Sequence, residues 1–376
     1  MTAPSPRHSQ PLMPVGPWLL VVGMHRSGTS AITGALGELG FGVPVPQDRF
    51  DASDDNPDHW ESRALGLHDD RLLQHLGGTW DGPPAPGPDG EAGPDLAAPD
   101  LGDPAEAALT AFPHAGPVAW KDPRVCLLLP YWLAHLPQPV AAIFVWRAPL
   151  SVARSLQIRD GMGLADGVAL WERYNLAGLA GLAGVDTFVL RYESIVEDPL
   201  RALSPVADWL GSLPQFAAQA PQWDLSSAAA SISPQLYRQH APGDDEPLRD
   251  EHRRLLAHLE AIEGPHRPFT GAPPGAESPW TTALLDDRRR ANELRDALAA
   301  HVAAAEALAV ETAAERQALE LELKTARLAF EGSQTELANV YEIYERMKGS
   351  TSWKVTRPLR QVVAALNARK GTAPAD

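Results

Sequence analysis

Hydrophobic residues in the first two thirds of the chain form two alternating patterns. Short unbroken apolar runs are separated by segments in which apolar residues recur every three or four positions. The clearest runs are PWLLVV at 17–22 and VAAIFVW at 140–146, and VDTFVL at 185–190 is a similar run interrupted by Asp186 and Thr187. Such runs are typical of strands buried on both faces of a sheet, and the spacing between them is helical. Residues 17–270 are therefore predicted to form an α/β domain, with a mostly parallel sheet flanked by helices.

A different pattern occupies residues 281–347, which contain no proline and are rich in Ala, Glu, Leu and Arg. In its second half the apolar positions are separated by alternating steps of four and three. They are Leu319, Leu323, Ala326, Phe330, Leu337, Val340, Tyr344 and Met347, with Ser333 as the one polar interruption. This spacing predicts a long helix that forms a coiled coil, and hence a homo-oligomer, because a bare apolar seam is unfavourable in water.

Segments rich in proline, glycine or one sign of charge separate and flank these regions. Residues 1–16 are predicted to be a disordered leader, and residues 81–117 a flexible Pro/Gly-rich surface insertion. Residues 271–280 are interpreted as a linker. The last segment, 348–376, is basic in an otherwise acidic chain and is predicted to be an amphipathic tail.

Composition limits the function classes. The chain has 376 residues and a formal net charge of −16, which argues against a nucleic-acid partner. Any anion site must therefore be a local pocket of basic groups and backbone N–H donors. The single cysteine, Cys126, excludes an intramolecular disulfide. We expect no membrane span, since no window approaches about 20 strongly apolar residues, and a cytoplasmic protein.

The first apolar run ends in the loop VVGMHRSGTS, residues 21–30. Gly23 and Gly28 have the spacing of the phosphate-binding loop G-x-x-x-x-G-K-[ST], but the lysine is missing and Arg26 lies inside the loop instead. A glycine-rich turn between a strand and a helix supplies convergent N–H donors. Predicted phosphate ligands are Ser27, Gly28, Thr29 and Ser30. The alternative is a tight turn that binds nothing.

A second basic position follows another buried run. In FVWRAPLSVARS, Arg147 ends the run and Ser155 comes eight residues later. A guanidinium suits the oxygens of a phosphate, although a salt bridge at a strand end is the simpler reading. A nucleotide triphosphatase would also place a metal-binding aspartate after a buried strand. The sequence shows no such aspartate clearly, which counts against that class.

Taken together, these motifs resemble the sulfotransferases that use 3′-phosphoadenosine 5′-phosphosulfate. The resemblance covers residues 18–240 and implies a P-loop NTPase-like sulfotransferase fold. It implies that the loop holds the 5′-phosphosulfate, with Arg26 in place of the usual lysine, and that Arg147 and Ser155 bind the 3′-phosphate. The segment RYESIVEDP resembles a family segment that places a tyrosine, here Tyr192, near the adenine. A core tyrosine is the alternative. No metal is implied.

Sulfuryl transfer to a hydroxyl needs a general base and a stabiliser of the developing charge. Arg26 is predicted to stabilise the transition state. Glu61 in HWESR is the first choice as base, because related glycan- and tyrosine-modifying enzymes carry a catalytic glutamate in this segment; a helix-terminal carboxylate is the alternative. His59 and His68 are rival bases.

Three further candidates have supporting roles. Lys121 in WKDPR is predicted to touch the sulfonate or an anionic acceptor, and Asp122 to orient neighbouring groups together with Arg124. A structural ion-pair cluster explains the same residues. His25, inside the loop, is expected to assist binding rather than act as the base.

The terminal STSWKVTRPLR resembles a short tail found in bacterial glycan-assembly proteins. It implies an acceptor hydroxyl on a carbohydrate or surface glycan. Its cations and apolar residues also suit a peripheral contact with an anionic membrane or an assembly complex, which would place the protein at the inner face of the membrane. A solvated helix is the alternative. Two rival functions are a P-loop nucleotide-dependent kinase and a non-catalytic coiled-coil scaffold.

Overall fold

The computed structural model describes residues 16–50, 60–85, 108, 111–112, 116–232 and 248–370. The chain divides into two compact units, Met1–Leu294 and Arg295–Asp376. The predicted leader, apart from residue 16, lies outside the described residues. So do most of the predicted insertion and the candidate base His59.

The first unit is built on a five-stranded sheet. Its strands are β1 (Trp18–Val22), β2 (Val118–Lys121), β3 (Val140–Trp146), β4 (Asp186–Arg191) and β5 (Gly264–His266). They lie in the order β2-β1-β3-β4-β5, with the first four parallel and β5 antiparallel to β4. Every residue of β1, β2 and β3 is buried, which explains the unbroken apolar runs. The predicted α/β fold with a mostly parallel sheet is confirmed.

Helices cover both faces of this sheet. In the first unit they are α1 (Thr29–Glu38), α2 (Arg63–His75), α3 (Val125–His135), α4 (Pro149–Asp160), α5 (Leu164–Gly181), α6 (Tyr192–Glu197), α7 (Pro199–Ser212), α8 (Leu225–Ala230) and α9 (Asp250–Ala261). Because side chains alternate along a strand, Trp18, Leu20 and Val22 pack with α2, α3 and α5, while Leu19 and Val21 pack with α1 and α7. The domain therefore has three layers.

The start of α2 is fixed by side-chain hydrogen bonds. The helix begins at Arg63. Ser62 is its N-cap and accepts a hydrogen bond from the Leu65 N–H at 3.0 Å. The Ser62 hydroxyl in turn donates to the Asp48 carboxylate at 2.5 Å, which ties the helix start to the preceding segment.

Part of the segment predicted as a surface insertion is buried. Ala108, Ala111 and Phe112 lie in the core, and the Phe112 N–H donates to the Ala108 carbonyl at 2.9 Å. The high Pro and Gly content of residues 81–117 favoured a loop prediction. The short stretch ALTAF within it nevertheless has apolar residues at the spacing of one helical turn.

The long helix α10 (Pro279–Gly349) starts inside the first unit. Its Thr281, Leu285 and Asn292 are buried, and the division between the two units falls after Leu294 rather than after residue 280. The anchor is Glu172 on α5, which is buried and accepts hydrogen bonds from the N–H and hydroxyl of Ser278, at 2.9 and 2.7 Å, and from the Thr281 hydroxyl. His252 on α9 places its Nε2 3.2 Å from the same carboxylate.

The second unit contains the rest of α10, followed by α11 (Thr351–Val355) and α12 (Arg357–Lys370). The predicted long C-terminal helix is confirmed, and the seam residues along it are exposed. Ser350 follows the last residue of α10 and is the N-cap of α11, where its side chain accepts a hydrogen bond from the Trp353 N–H at 3.2 Å. The Arg360 guanidinium lies 3.6 Å from the centroid of the Trp353 ring, so the tryptophan of the basic tail is covered by a cation.

One 18-residue window of α10 has a mean hydropathy of 1.3 and is 0% buried, so by length and composition this helix could cross a membrane. The expectation that no segment resembles a membrane span is wrong by this measure. The reason is alanine, which makes up most of residues 297–314. The hydrophobicity of a single alanine is modest, so this segment has few of the large apolar side chains typical of a membrane span.

Glu172→Ala should lower the free energy of unfolding by about 3 kcal/mol, because the buried donors of Ser278 and Thr281 would lose their acceptor. Urea unfolding measures this change. Glu260→Ala, at an exposed position on α9, is the matched control and should change stability by less than about 0.5 kcal/mol. Equal effects of the two substitutions would show that Glu172 does not anchor α10.

Candidate active site

A cavity of about 370 Å³ lies at the carboxyl ends of the parallel strands. Open parallel sheets commonly bind ligands at this edge, because the loops that follow neighbouring strands meet there. Its lining comprises His25, Arg26, Gly28, Thr29, Ser30, Ala31, Phe50, Glu61, Trp80, Lys121, Pro123, Arg124, Arg147, Arg159, Asp160 and Tyr192. The cavity therefore brings together most of the predicted site residues. Ser27 and Ser155 are not part of the lining.

The backbone of the glycine-rich loop fits tightly against its surroundings. Gly28 has φ +88°, and a Cβ added there would lie 1.9 Å from an atom of the Tyr192 ring. A Cβ at Gly23 would lie 2.3 Å from the Val145 carbonyl oxygen of β3. Arg26 also has a positive φ, of 67°, which is unusual for a residue with a side chain. The loop conformation thus depends on two glycines and one strained arginine.

Hydrogen bonds from two arginines connect the loop to the next strand and helix. Arg26 Nε donates to Ser155 Oγ on α4 at 2.7 Å, and Arg147 Nη1 donates to the Arg26 carbonyl at 3.0 Å. The Arg147 guanidinium also lies 4.9 Å from the centroid of the Tyr192 ring. Trp171 Nε1 on α5 fixes the strand end by donating to the Arg147 carbonyl at 2.9 Å. Arg26 and Ser155, which are 129 positions apart in the sequence, are thus in direct contact.

His25 and Ser27 are buried within the same loop. Among the described residues, neither the His25 Nε2 nor the Ser27 Oγ has a hydrogen-bond partner. The His25 ring packs on Trp80, with ring centroids 4.7 Å apart, and near Tyr174 at 5.8 Å. Burial, with the nearby Arg159 charge, lowers the pKa of His25 well below its usual value, so the imidazole is neutral. Of these two residues only His25 lines the cavity, and its unsatisfied Nε2 is consistent with a site that a polar ligand completes.

Glu61 and Lys121 form an ion pair, with Oε1 and Nζ 2.5 Å apart. Lys121, the last residue of β2, is buried, and Glu61 stands just before α2. Burial alone would raise the pKa of Glu61, but the Lys121 ammonium and further positive groups lower it to about 2. The carboxylate is therefore ionised at all ordinary pH values and only weakly basic in this state.

Arg124 is held by two carboxylates behind the cavity wall. Its Nη1 lies 2.8 Å from Asp122 Oδ2, and its Nε lies 2.7 Å from Asp70 Oδ1. Burial opposes the charge, but these carboxylates raise the pKa of Arg124 above its ordinary value. Asp122 directly follows β2, a strand that pairs with β1. The sequence-based argument that no aspartate follows a buried strand is therefore wrong, although this aspartate is engaged by Arg124.

The remaining candidates lie in different places. His68, the rival base, is fully buried on α2, where its Nε2 lies 2.9 Å from the Tyr131 hydroxyl, and it does not line the cavity. Thr29 and Ser30, at the start of α1, do line it. The Tyr192 ring packs against Gly28 and also lines the cavity. Tyr192 is therefore both a core residue and part of the cavity wall.

Sequence reasoning missed six lining residues, which are Ala31, Phe50, Trp80, Pro123, Arg159 and Asp160. A signal existed for Arg159, since it follows Ser155 by four residues on α4 and so shares its helix face. No local pattern marks Trp80. Its position comes from contacts made by distant parts of the chain, such as the hydrogen bond of 2.6 Å from the Tyr174 hydroxyl to its carbonyl.

No protein-family model matches this sequence, and no curated protein matches it. A search of solved structures finds four matching chains. One is described as "Sulfotransferase Domain from the Curacin Biosynthetic Pathway". It has 17% sequence identity to this protein, and the match covers 66% of this chain and 99% of that domain with a TM-score of 0.37.

Gly28→Ala should lower the free energy of unfolding by about 3 kcal/mol, the sum of backbone strain and overpacking against Tyr192. Gly40 provides a matched control, because its φ of +89° is nearly the same but no atom lies within 4 Å of an added Cβ. Gly40→Ala should cost only about 1 kcal/mol of strain. If both variants unfold at the same urea concentration, the Gly28–Tyr192 contact does not constrain the loop.

The Glu61–Lys121 pair should make stability depend on pH in the acid range. The folded pKa of Glu61, about 2, lies below its ordinary value of 4.5, so the unfolded chain binds the proton more tightly. The resulting stability is fully present above pH 4.5 and is lost as the pH falls towards 2. The stability advantage of the wild type over Glu61→Gln should therefore shrink by about 2 kcal/mol between pH 5.5 and pH 3.

Urea unfolding at several pH values measures this difference, with Glu260→Gln at an exposed position as the control substitution. A wild-type advantage that stays constant over this pH range would mean that Lys121 does not lower the proton affinity of Glu61.

Proposed function

We propose that this protein transfers a sulfuryl group from 3′-phosphoadenosine 5′-phosphosulfate to an acceptor hydroxyl. The observation that carries the proposal is the meeting of the Arg26 loop with Arg147 and Ser155 at one sheet edge. These are the residues that the sequence resemblance assigns to the two ends of this donor. They follow β1 and β3 along the chain. Arg26 and Arg147 line one cavity, and Ser155 contacts Arg26 beside it.

The charge of the cavity favours a polyanionic ligand. Five cations line it, Arg26, Lys121, Arg124, Arg147 and Arg159, against two carboxylates, Glu61 and Asp160. The whole chain, in contrast, carries a formal charge of −16. The N-terminus of α1 adds its backbone N–H groups at Gly28, Thr29 and Ser30, which also line the cavity. A basic pocket in an acidic protein selects for a ligand with several negative charges.

Each end of the donor has residues of suitable chemistry. The loop N–H groups with Thr29 and Ser30 would hold the 5′-phosphosulfate, and Arg147 with Ser155 the 3′-phosphate. Ser155 Oγ accepts from Arg26 but keeps its own hydrogen, which it can donate to a phosphate oxygen. Tyr192 lies against Gly28 and the Arg147 guanidinium. We assign it to the wall beside the nucleotide.

In the reaction, the acceptor oxygen forms a bond to sulfur while the bond from sulfur to the 5′-phosphate oxygen breaks. The products are the sulfated acceptor and adenosine 3′,5′-bisphosphate, and the hydroxyl proton passes to a base. Arg26 and Lys121 would stabilise charge that develops on the leaving oxygen and the sulfonate. Glu61, which lines the cavity, is the base in this proposal. A sulfonate that draws Lys121 away would raise the proton affinity of Glu61.

We assign the acceptor to carbohydrate hydroxyls, as the tail resemblance implies. The aromatic residues Phe50 and Trp80 line the cavity and can pack against the C–H face of a sugar ring. The kinase alternative retains one supporting feature, Asp122 after β2, which is the position of a metal-binding aspartate. The binding experiment below therefore includes Mg·ATP.

The purified protein should bind adenosine 3′,5′-bisphosphate without added metal, with micromolar affinity by isothermal titration calorimetry. Arg147→Ala should bind it about 10- to 150-fold more weakly, as expected for a charged hydrogen bond worth roughly 1.5–3 kcal/mol. Arg201→Ala, which removes an exposed arginine on α7 outside the cavity lining, is the matched control and should bind like the wild type.

Binding of Mg·ATP in preference to the bisphosphate would replace this proposal with the kinase. Binding of neither ligand would leave the scaffold function. Equal losses in the Arg147 and Arg201 variants would show that the bisphosphate is attracted by general charge and does not occupy this cavity.

A further inference from the structure

The C-terminal part of α10 carries an exposed apolar stripe, which we call the seam. It consists of Leu319, Leu323, Ala326, Phe330, Ser333, Leu337, Val340, Tyr344 and Met347. Its large apolar side chains are 43–71% exposed, more than a folded protein normally leaves along one helix face. Steps of four and three keep the seam on one side of a helix over four heptads, which suits pairing with another helix of the same repeat.

We infer that the seam pairs with the seam of a second copy of this chain, and that the two helices run antiparallel. This inference does not depend on the proposed function. It concerns only residues of the second unit, all of which lie on one continuous helix.

The sizes of the seam residues decide the orientation. The middle of the seam has small residues at Ala326 and Ser333, and the large Phe330 lies between them. In a parallel pair every layer contains two identical side chains, so two phenylalanines would meet between a layer of two alanines and a layer of two serines. The phenylalanine layer would be overfilled, and the alanine and serine layers would leave voids.

An antiparallel pair removes this conflict. Residues of the two heptad core positions then face each other, so that a small residue of one copy lies opposite a large residue of the other. With the pair centred between Phe330 and Ser333, Phe330 faces Ser333 of the second copy and Ala326 faces Leu337. A shift by one heptad places Ser333 opposite Leu337 and Ala326 opposite Tyr344. In both registers each layer pairs a large residue of one copy with a residue of the other copy that leaves room for it.

Charge does not decide between the two orientations. Glu322 and Arg327 flank the seam at positions that attract each other across a parallel pair, but Glu315 and Glu320, at the same positions one heptad earlier, would repel each other. Exposed ion pairs of this kind contribute little and are screened by salt. Overpacked and empty core layers are more costly, because close packing is what a coiled coil gains from burial. Packing therefore outweighs the flanking charges.

The first test is the mass of the full-length protein by sedimentation velocity at several concentrations. We expect a dimer. Leu337→Glu places a charge in the seam and should weaken dimerisation at least 10-fold. Asn339→Glu adds the same charge to the same helix outside the seam and should leave it unchanged. A monomer at all concentrations, or equal effects of the two variants, would overturn the inference, as would a larger oligomer.

The second test reads the orientation by disulfide cross-linking of the full-length protein. The only native cysteine, Cys126, is buried and serves as an internal blank. Leu323→Cys, Val340→Cys and Met347→Cys are oxidised singly and then as mixtures of the first variant with each of the others. Cross-links that form only in a mixture support an antiparallel pair, and the partner that reacts gives the register. Cross-linking of Leu323→Cys with itself would show a parallel pair and overturn the inference.

Discussion

The contact between the backbone of Gly28 and the ring of Tyr192 is the constraint on which the candidate site depends. An added Cβ would lie 1.9 Å from that ring, so no larger residue fits at position 28 and the loop packs directly against the residue that follows β4. The approach brings the loop N–H groups to the same edge as Arg147, which donates to the loop at the Arg26 carbonyl. Residues that follow three different strands are thereby held around one cavity, and no single loop has to supply the site.

Electrostatics inside this cavity are arranged in pairs. Glu61 is held by Lys121, Arg124 by Asp70 and Asp122, and Arg159 by its neighbour Asp160. Pairing offsets the cost of burying each charge, and it also keeps the side chains in fixed positions. An arriving anion would compete with these carboxylates for their cations. The ion pairs thus hold these charged side chains in place without a bound ligand.

Much of the fold follows from local sequence signals. Buried strands such as β3 are unbroken apolar runs, and α10 has a regular 3–4 spacing without proline, so both could be predicted within a few residues. That Arg26, Arg147 and Ser155 lie together was implied by the sequence resemblance, which assigns them to one ligand. A short β2 followed by a buried aspartate was harder to recognise, since four residues carry little periodicity.

Other features are set by tertiary contacts and leave no local signal. The pairing of Glu61 with Lys121 joins residues 60 positions apart. Trp80 belongs to a segment that reads as a loop, and its place in the wall depends on the Tyr174 hydroxyl. The start of α10 looked like a linker because Pro, Gly and Ser precede it, yet Glu172 fixes it in the core. These three features depend on hydrogen bonds and ion pairs between residues far apart in the sequence, which no local pattern predicts.

The way α10 supports the wall has a consequence for how the protein is made. Residues 79–84 are held by residues of α10 that come more than 200 positions later. Arg288 lies 2.8 Å from Asp81. Asn292 donates a hydrogen bond to Thr79, and Arg289 donates one to the Pro83 carbonyl. During synthesis the four parallel strands can pair once β4 has left the ribosome. Trp80 cannot be fixed until the start of α10 has also emerged. The cavity wall at residue 80 is therefore completed only when the last part of the first unit has been made.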